Sequence, residues 1–305
     1  MSILIGGTIA IDHISTPSAE AENLLGGSAA YAALAATYYT SPVHLVGVVG
    51  HDFPEHHLAM LEGHGVTLTG VERSEGASFT WTGEYHENMN ERTTHRVGLN
   101  VLESWDVKVP GAIADARIVV PANMSPDNQI QMLDQCAAEH AFVVADTMDL
   151  WIEIANERLH EVLQRIDLLV INESEARELA GDSNLIVAGE KLLAKGPRYV
   201  VIKLGEFGAI LFGPDDAIFR FHAWPLREIV DPTGAGDTFL GAMAGYLASL
   251  GGSSFSFDQI RDAVVQGSVV ASFTCQDFST RRLETVTESQ IQERLDGLRA
   301  ISHWE

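Results

Sequence analysis

Basic residues and cysteines are both scarce in this sequence of 305 residues. It has 19 Lys and Arg side chains against 42 Asp and Glu, which gives a formal net charge of −23 at pH 7. Phosphate backbones and anionic membranes attract cations, so this excess of acid disfavours a nucleic-acid partner and a membrane partner. Only Cys136 and Cys275 are present, which is too few for a disulfide framework and favours a reducing cytoplasm.

Long hydrophobic runs and targeting signals are also lacking. No apolar stretch approaches the roughly 18 residues of a membrane-spanning helix. The N-terminal segment has neither the basic region nor the apolar stretch of a signal peptide. We therefore expect a cytoplasmic protein that acts on small molecules.

Three common signatures of active sites are missing. The chain has no Walker A loop and no nucleophile elbow, which disfavours a P-loop NTPase and an α/β-hydrolase. The segment Ile5-Gly6-Gly7-Thr8 follows an apolar run, but it lacks the glycine spacing of dinucleotide-binding folds. An NAD-dependent oxidoreductase is therefore a weak alternative.

Short apolar runs alternate with amphipathic stretches along most of the chain, which predicts a mostly parallel central sheet covered by helices on both faces. The fold class is thus α/β, a three-layer α/β/α arrangement in a single domain over residues 1–305. The predicted strands are Ile3–Ile5, Val43–Val49, Arg117–Val120, Phe142–Ala145, Leu168–Ile171, Tyr199–Ile202, Ala209–Phe212 and Ile218–Phe221. The predicted helices are Ala29–Tyr39, Pro54–Glu62, Asn128–Glu139, Ile152–Gln164, Leu185–Ala194, Gly236–Leu250, Gln259–Phe273 and Glu288–Leu298.

One region interrupts the alternation of strands and helices. Ser78–Gly98 has Thr and aromatic residues on both sides of a polar centre at Glu87–Glu91, which predicts a hairpin outside the main sheet. Ile9–Ser15 could supply a further strand beside it. We interpret segments 9–15 and 78–98 as a small β lid over a site at the sheet edge; the alternative is an edge extension of the core sheet.

The strongest chemical signal is the segment Asp231–Phe239, DPTGAGDTF, which precedes a run of small residues. Glycines at the start of a helix allow backbone N–H groups to converge, and the helix dipole favours an anion there. Asp237 lies in the first turn, where a carboxylate can accept the proton of an attacking hydroxyl. Because no Lys or Arg occurs between Glu228 and Ile260, we expect Lys203 to be the nearest cation.

This segment resembles the C-terminal signature of the ribokinase-like (PfkB) carbohydrate kinases. Other segments resemble that family in the same order along the chain: Gly26-Gly27-Ser28-Ala29-Ala30, Gly47-Val48-Val49-Gly50-His51-Asp52, Asn172-Glu173-Ser174-Glu175 and Lys203-Leu204-Gly205-Glu206-Phe207-Gly208. The resemblance implies a β lid and ATP-dependent phosphorylation of a hydroxyl of a sugar, polyol or nucleoside. It also suggests Mg²⁺, a monovalent cation as an option, and a homodimer formed through the lid.

The resemblance further implies a role for each matching position. Asp237 would be the catalytic base, and the backbone of Gly234, Ala235 and Gly236 the anion hole. The nucleotide and its Mg²⁺ would contact Lys203, Gly205, Gly208, Thr233, Asn172 and Glu175, with Glu175 reaching the metal through water. The substrate would contact Asp12, Gly26, Gly27 and Tyr31.

Simpler structural interpretations remain open for several of these residues. Asn172 and Glu175 also have the spacing of a helix capping box. Asp12 could be a turn residue. Many family members have Asn where this chain has Tyr31, so a ribose-type substrate is in doubt, and Tyr31 could equally pack within its helix.

The histidines do not form a recognisable metal motif. His51, His56, His57 and His64 lie within 14 residues, yet none of the usual zinc spacings occurs among them. In the hairpin, His86, His95, Arg92 and Arg96 could contact substrate, and facing arginines would favour an acidic sugar. We predict an ATP- and Mg²⁺-dependent kinase; the main alternative is a sugar- or nucleotide-binding sensor on the same fold, without turnover.

Overall fold

The computed structural model describes residues 2–138 and 140–302. The strands are β1 (Ile3–Gly6), β2 (Ala10–Ser15), β3 (Glu20–Gly26), β4 (Val43–Val49), β5 (Val66–Arg73), β6 (Phe79–Tyr85), β7 (Arg92–Gly98), β8 (Ile118–Pro121), β9 (Phe142–Asp146), β10 (Leu168–Asn172), β11 (Tyr199–Lys203), β12 (Ala209–Phe212) and β13 (Ile218–Phe221). The α-helices are α1 (Ser28–Ala36), α2 (Glu55–Gly63), α3 (Pro126–Gln135), α4 (Asp149–Ile154), α5 (Asn156–Leu163), α6 (Glu173–Ala180), α7 (Leu185–Leu193), α8 (Ala235–Ser249), α9 (Phe257–Thr274) and α10 (Glu288–Ser302).

The central sheet has nine strands in the order β13-β12-β11-β10-β9-β8-β1-β4-β5. From β5 to β11 all neighbours are parallel, and β12 and β13 extend one edge antiparallel. One apolar core lies between the sheet and α1, α2, α8, α9 and α10, and a second lies between its other face and α3 to α7. The predicted three-layer α/β/α class is therefore confirmed.

A second sheet of four strands, in the order β3-β2-β6-β7, stands apart from the central one. Strand β2 pairs parallel with β6, and β6 and β7 form an antiparallel hairpin. Both segments that we assigned to a lid lie in this sheet, and the alternative of an edge extension of the core sheet is wrong. We call this sheet the lid.

The boundaries differ from prediction in a few places. The predicted helix Ile152–Gln164 is divided into α4 and α5, because Ala155 takes a non-helical backbone (φ −134°, ψ 32°). Helix α3 ends at Gln135, since Cys136 is extended, and Glu139 lies outside the described residues. Strands β3 and β5 were missed, because half or more of each is polar or only partly buried.

Helices α1 and α8 pack without large side chains between them. A Cβ added at Gly241 would lie 2.1 Å from the backbone oxygen of Ala32, and one at Gly245 would lie 2.7 Å from the Cα of Ala36. Small residues thus allow the two backbones to touch, so the starts of both helices are held together at one end of the sheet.

Within residues 2–138 and 140–302, no helix combines the length and the apolarity needed to cross a bilayer.

Candidate active site

Polar side chains end three neighbouring parallel strands of the central sheet. Asp146 ends β9, Asn172 ends β10 and Lys203 ends β11. Asn172 lies directly opposite Lys203 in the β10–β11 register, and Asp146 lies opposite Val170. The carboxyl ends of parallel strands are where ligands of open α/β sheets bind, so these side chains mark the candidate site.

The glycine loop begins α8 beside this edge. Gly234 has a left-handed backbone (φ 75°), and no described side chain caps the helix. The first N–H groups of α8 therefore lack an intrahelical acceptor. A Cβ at Gly236 would lie only 2.8 Å from Lys203 Nζ, so the ammonium group lies against the loop. The Ala235 N–H donates to the Pro232 carbonyl at 3.2 Å, and the helix dipole and the Lys203 ammonium both favour an anion such as phosphate at this end of α8.

Asp237 lies in the first turn of α8 and is partly exposed. Burial raises the pKa of its carboxyl, and the charges of Lys203 and Arg92 oppose that rise. A carboxylate that is more basic than usual, beside an anion site, has the properties of a general base.

Asp146 is a site residue that sequence reasoning missed. Its side chain is buried, and its Oδ1 has no hydrogen-bond partner among the described residues. Burial raises its pKa, Asp237 and Glu175 raise it further, and Lys203 opposes them. The signal that could have found it is an acidic residue directly after the buried run Phe142–Ala145.

The pair Asn172 and Glu175 forms the capping box that the spacing allowed. Asn172 Oδ1 accepts the Glu175 N–H at 2.9 Å, and Glu175 Oε2 accepts the Asn172 N–H at 3.0 Å. Burial raises the pKa of Glu175 while Lys203 lowers it. The cap thus fixes a carboxylate near the same cation that serves the glycine loop.

Asp12 occupies the opposite side of the site, at the base of the lid. Its carboxylate lies 2.1 Å from where a Cβ on Gly26 would be, so only glycine fits there. Gly27 (φ 92°) is the N-cap of α1, and a Cβ there would lie 2.4 Å from the Thr8 carbonyl oxygen. Burial raises the pKa of Asp12, with further contributions from Asp231 and Asp237.

Five carboxyl groups therefore share this region, and burial is the largest cause of a raised pKa in each. We call them the site carboxylates: Asp12, Asp146, Glu175, Asp231 and Asp237. A site this acidic needs added cations to hold a phosphate chain.

Tyr31 packs beneath the glycine loop. Its ring carbons lie 2.4–2.5 Å from where a Cβ on Gly234 would be, and the side chain is 1% exposed. Burial raises the pKa of Tyr31, Asp231 and Asp12 raise it further, and the nearby Ser279 side chain lowers it. No described group lies in hydrogen-bonding geometry with the Tyr31 hydroxyl. The ring thus supports the loop, and its buried hydroxyl remains available.

The lid reaches across the site at two points. The Thr233 hydroxyl donates to the Tyr85 hydroxyl at 3.2 Å, and Asn90 Nδ2 donates to Glu206 Oε1 at 3.5 Å. Arg92 lies opposite Tyr85 in the β6–β7 register, so both side chains leave the same face of the lid. Arg92 also lowers the pKa of Glu175. Within the described residues, Arg92 makes no ion pair.

The turn Lys203–Gly208 joins β11 to the antiparallel β12. Both Gly205 (φ 57°) and Gly208 (φ 91°) have left-handed backbones, and the Leu204 N–H donates to the Gly208 carbonyl at 2.8 Å. A Cβ at Gly208 would lie 2.0 Å from the Phe221 carbonyl. This turn lies at the same edge as Lys203, opposite the lid tip.

The histidines of α2 and its flanks contact carbonyl groups. His51, His57 and His64 each lie within hydrogen-bonding distance of at least one backbone oxygen. In the part of the chain that the structure describes, no group of three His, Cys, Asp or Glu side chains could hold a metal ion alone. On the lid, His95 pairs with Glu84 at 2.8 Å on the strand face opposite to that of Tyr85.

A model of the pfkB family carbohydrate kinases matches residues 4–286 of this chain. Two curated relatives cover most of the sequence. A cytidine kinase of Thermococcus kodakarensis is 28% identical over 81% of this chain and 88% of its own, and a nucleoside kinase of Methanothermobacter thermautotrophicus is 27% identical over 88% and 84%.

Solved structures agree with this fold. A Burkholderia thailandensis nucleoside kinase in complex with inosine superposes with a TM-score of 0.82, at 17% identity over 99% of this chain and all of the other. A putative ribokinase II from E. coli, in complex with ATP and Mg²⁺, gives a TM-score of 0.81 at 19% identity over 97% and 99%. At these identities the likeness establishes the fold.

Proposed function

This chain belongs to the pfkB family of carbohydrate kinases, and from that premise we propose that it transfers the γ-phosphoryl group of ATP to a hydroxyl of a small sugar, polyol or nucleoside. The observation that carries the proposal is the position of Asp237. It lies in the first turn of an uncapped helix whose glycine loop contacts the Lys203 ammonium. The carboxylate and the glycine loop thus lie within one helical turn, with the Lys203 ammonium of β11 against them.

In this mechanism Asp237 accepts the proton of the acceptor hydroxyl as its oxygen attacks the γ-phosphorus. The new O–P bond forms while the bond from the γ-phosphorus to the ADP oxygen breaks. In this proposal the backbone N–H groups of Gly234, Ala235 and Gly236 bind the equatorial oxygens of the transferred group, for which the Ala235 N–H has to exchange its bond to the Pro232 carbonyl. Preorganised donors of this kind are usually the largest contribution to such catalysis.

Lys203 and Arg92 offset the charge that builds up in this acidic site. Lys203 lies against the loop, and Arg92 approaches from the lid. Thr233, Gly205 and Gly208 line the nucleotide in this proposal. The two cations come from different elements, Lys203 from the central sheet and Arg92 from the lid.

The residues present fit a magnesium ion. The unpartnered Oδ1 of buried Asp146 and the carboxylate of Glu175 are oxygen ligands of the type that Mg²⁺ prefers, and it commonly uses one or two carboxylates with water and phosphate oxygens. Asp146, Asn172 and Glu175, the last through water, would hold the ion. When bound, the ion neutralises charge on the nucleotide phosphates.

The acceptor would lie between Asp12, the Gly26–Gly27 turn and the lid. The Asp12 carboxylate accepts hydrogen bonds from hydroxyl groups directly, and the buried Tyr31 hydroxyl could bind a further acceptor oxygen. The relatives named for cytidine and nucleosides support testing nucleosides first. A monovalent-cation requirement, a homodimer and a cytoplasmic location stay predictions.

The test is an ADP-release assay over ribose, fructose, adenosine, cytidine, inositol and 2-keto-3-deoxygluconate. We expect ADP release with one class of acceptor, and an Asp237→Asn variant that keeps ATP binding but turns over about 10²- to 10⁴-fold more slowly. Ligand-induced thermal shifts without any ADP would instead indicate a sensor. Near-normal turnover of Asp237→Asn would refute the role of Asp237.

A further inference from the structure

Asp231 is a buried carboxylate that the reaction itself does not use. It is 0% exposed. Its Oδ1 accepts the Thr233 N–H at 2.8 Å, and its Oδ2 accepts the Ser279 N–H at 3.3 Å. Burial raises its pKa, and the hydrogen bonds from both N–H groups oppose the rise. One carboxylate thus joins the glycine loop to the segment that follows α9.

Both partners of Asp231 continue into the lid. The Thr233 hydroxyl donates to the Tyr85 hydroxyl on β6, and the Ser279 hydroxyl donates to the Leu25 carbonyl on β3. These two strands flank β2 in the lid, and β2 carries Asp12. We call this chain of hydrogen bonds the Asp231 belt: Tyr85, Thr233, Asp231, Ser279 and Leu25.

Apolar contacts hold the lid down on the same two segments. Ile14, Leu24, Tyr85 and Phe278 form a small buried cluster, and Val230 packs against it. Val230 directly precedes Asp231, and Phe278 directly precedes Ser279. Closing the lid therefore presses on the residues that adjoin Asp231 and Ser279, the two central members of the belt.

We propose that Tyr85 and Asp231 are positioning residues that link lid closure to the geometry of the glycine loop. With the lid closed over an acceptor, Tyr85 fixes the Thr233 hydroxyl, and Asp231 fixes the Thr233 N–H directly before Gly234. With the lid open, the loop loses the Tyr85 contact and its amides are less ordered. Phosphoryl transfer to the acceptor is thereby favoured over transfer to water. The rate consequence rests on the proposed kinase function; the structural coupling does not.

The first experiment does not depend on activity. Hydrogen exchange of the amides in 231–238 is compared in the wild type, Tyr85→Phe and Tyr199→Phe. Tyr199 is a matched control, because its buried hydroxyl donates to the Phe255 carbonyl at 2.8 Å at the far end of β11. We expect faster exchange of the loop in Tyr85→Phe alone. Equal exchange in all three proteins would overturn the coupling, whatever the activity.

The second experiment measures kinetics with the best acceptor. Tyr85→Phe should lower kcat about 3- to 10-fold, as expected for one neutral hydrogen bond, with KM for ATP unchanged. The loss in Thr233→Val should not add to the loss in Tyr85→Phe, so the Tyr85→Phe/Thr233→Val double variant should be no slower than the slower single variant. Additive losses would refute the belt. If loop exchange changes but the wild type phosphorylates no acceptor, the kinase proposal fails and the coupling stands.

Discussion

Replacing Gly234 by alanine tests how the glycine loop is supported. A residue with a side chain has to adopt the left-handed backbone that Gly234 has (φ 75°), at a cost of about 1–2 kcal/mol. The new methyl group would also lie 2.4 Å from ring carbons of Tyr31, whereas carbon atoms prefer about 3.5–4.0 Å. Because the ring is 1% exposed, it has little room to move, and overpacking of this kind costs about 1–3 kcal/mol.

The two contributions sum to about 2–5 kcal/mol in the free energy of unfolding. At about 2 °C per kcal/mol for a chain of this size, Tm should fall by roughly 4–10 °C. Urea and thermal unfolding of the ligand-free protein measure both quantities. Gly236→Ala is the matched control: its methyl would meet only the Lys203 side-chain end, which can move, so we expect little change in stability.

A double-mutant cycle separates overlap from backbone strain. Tyr31→Ala alone should cost about 3–5 kcal/mol, as for other large buried aromatic residues. In that background Gly234→Ala has no ring to meet, and only the backbone cost of about 1–2 kcal/mol should remain. Additivity within about 0.5 kcal/mol, or a Gly234→Ala variant as stable as Gly236→Ala, would refute the packing of Tyr31 under the loop.

Three further predictions concern the charges of the site. Lys203 lowers the pKa of Asp237, so Lys203→Met should move the acid limb of the kcat/KM profile to higher pH, whereas the surface variant Lys191→Met should leave it in place. The raised pKa values of the site carboxylates mean that the folded state binds more protons than the unfolded state above about pH 4. The Tm of the ligand-free protein should therefore rise as the pH is lowered from 7.5 to 5.5, and it should rise less in Asp146→Asn. A fall of Tm in both proteins would contradict the raised pKa values of these carboxyl groups. Excess EDTA should abolish turnover. The Glu175→Gln variant, which can still cap α6, should need an Mg²⁺ concentration about 10-fold higher or more for its half-maximal rate. An unchanged Mg²⁺ concentration for the half-maximal rate would exclude Glu175 from the proposed metal site.

Much of the fold could be predicted because the buried parallel strands are continuous apolar runs. Val43–Val49 and Ala209–Phe212 were predicted to the residue. Strand β5 was missed because it is the edge of the central sheet and only two of its eight residues are buried. Polar positions on an edge strand carry no distinct sequence pattern.

The candidate site was predictable where recognisable motifs carry its residues. The glycine loop and Lys203 do lie side by side. Asp146 was missed although it directly follows a predicted buried strand. Tyr85 could not be placed, because its partner Thr233 is distant in sequence and only the folded chain brings the two close. Tyr31 was taken for a substrate contact on the basis of a motif position, and its packing under Gly234 depends on the crossing of α1 and α8.

That crossing limits how the protein can open. With backbone against backbone at Gly241 and Ala32, α1 cannot slide along α8 without driving larger side chains into a space that admits none. Sliding of these two helices past each other is therefore disfavoured, and hinge motion of the lid is the movement that the packing leaves open. In the proposed reaction the acceptor and the phosphoryl group lie at the starts of α1 and α8, so the close packing of these two helices sets the distance that the acceptor hydroxyl has to reach.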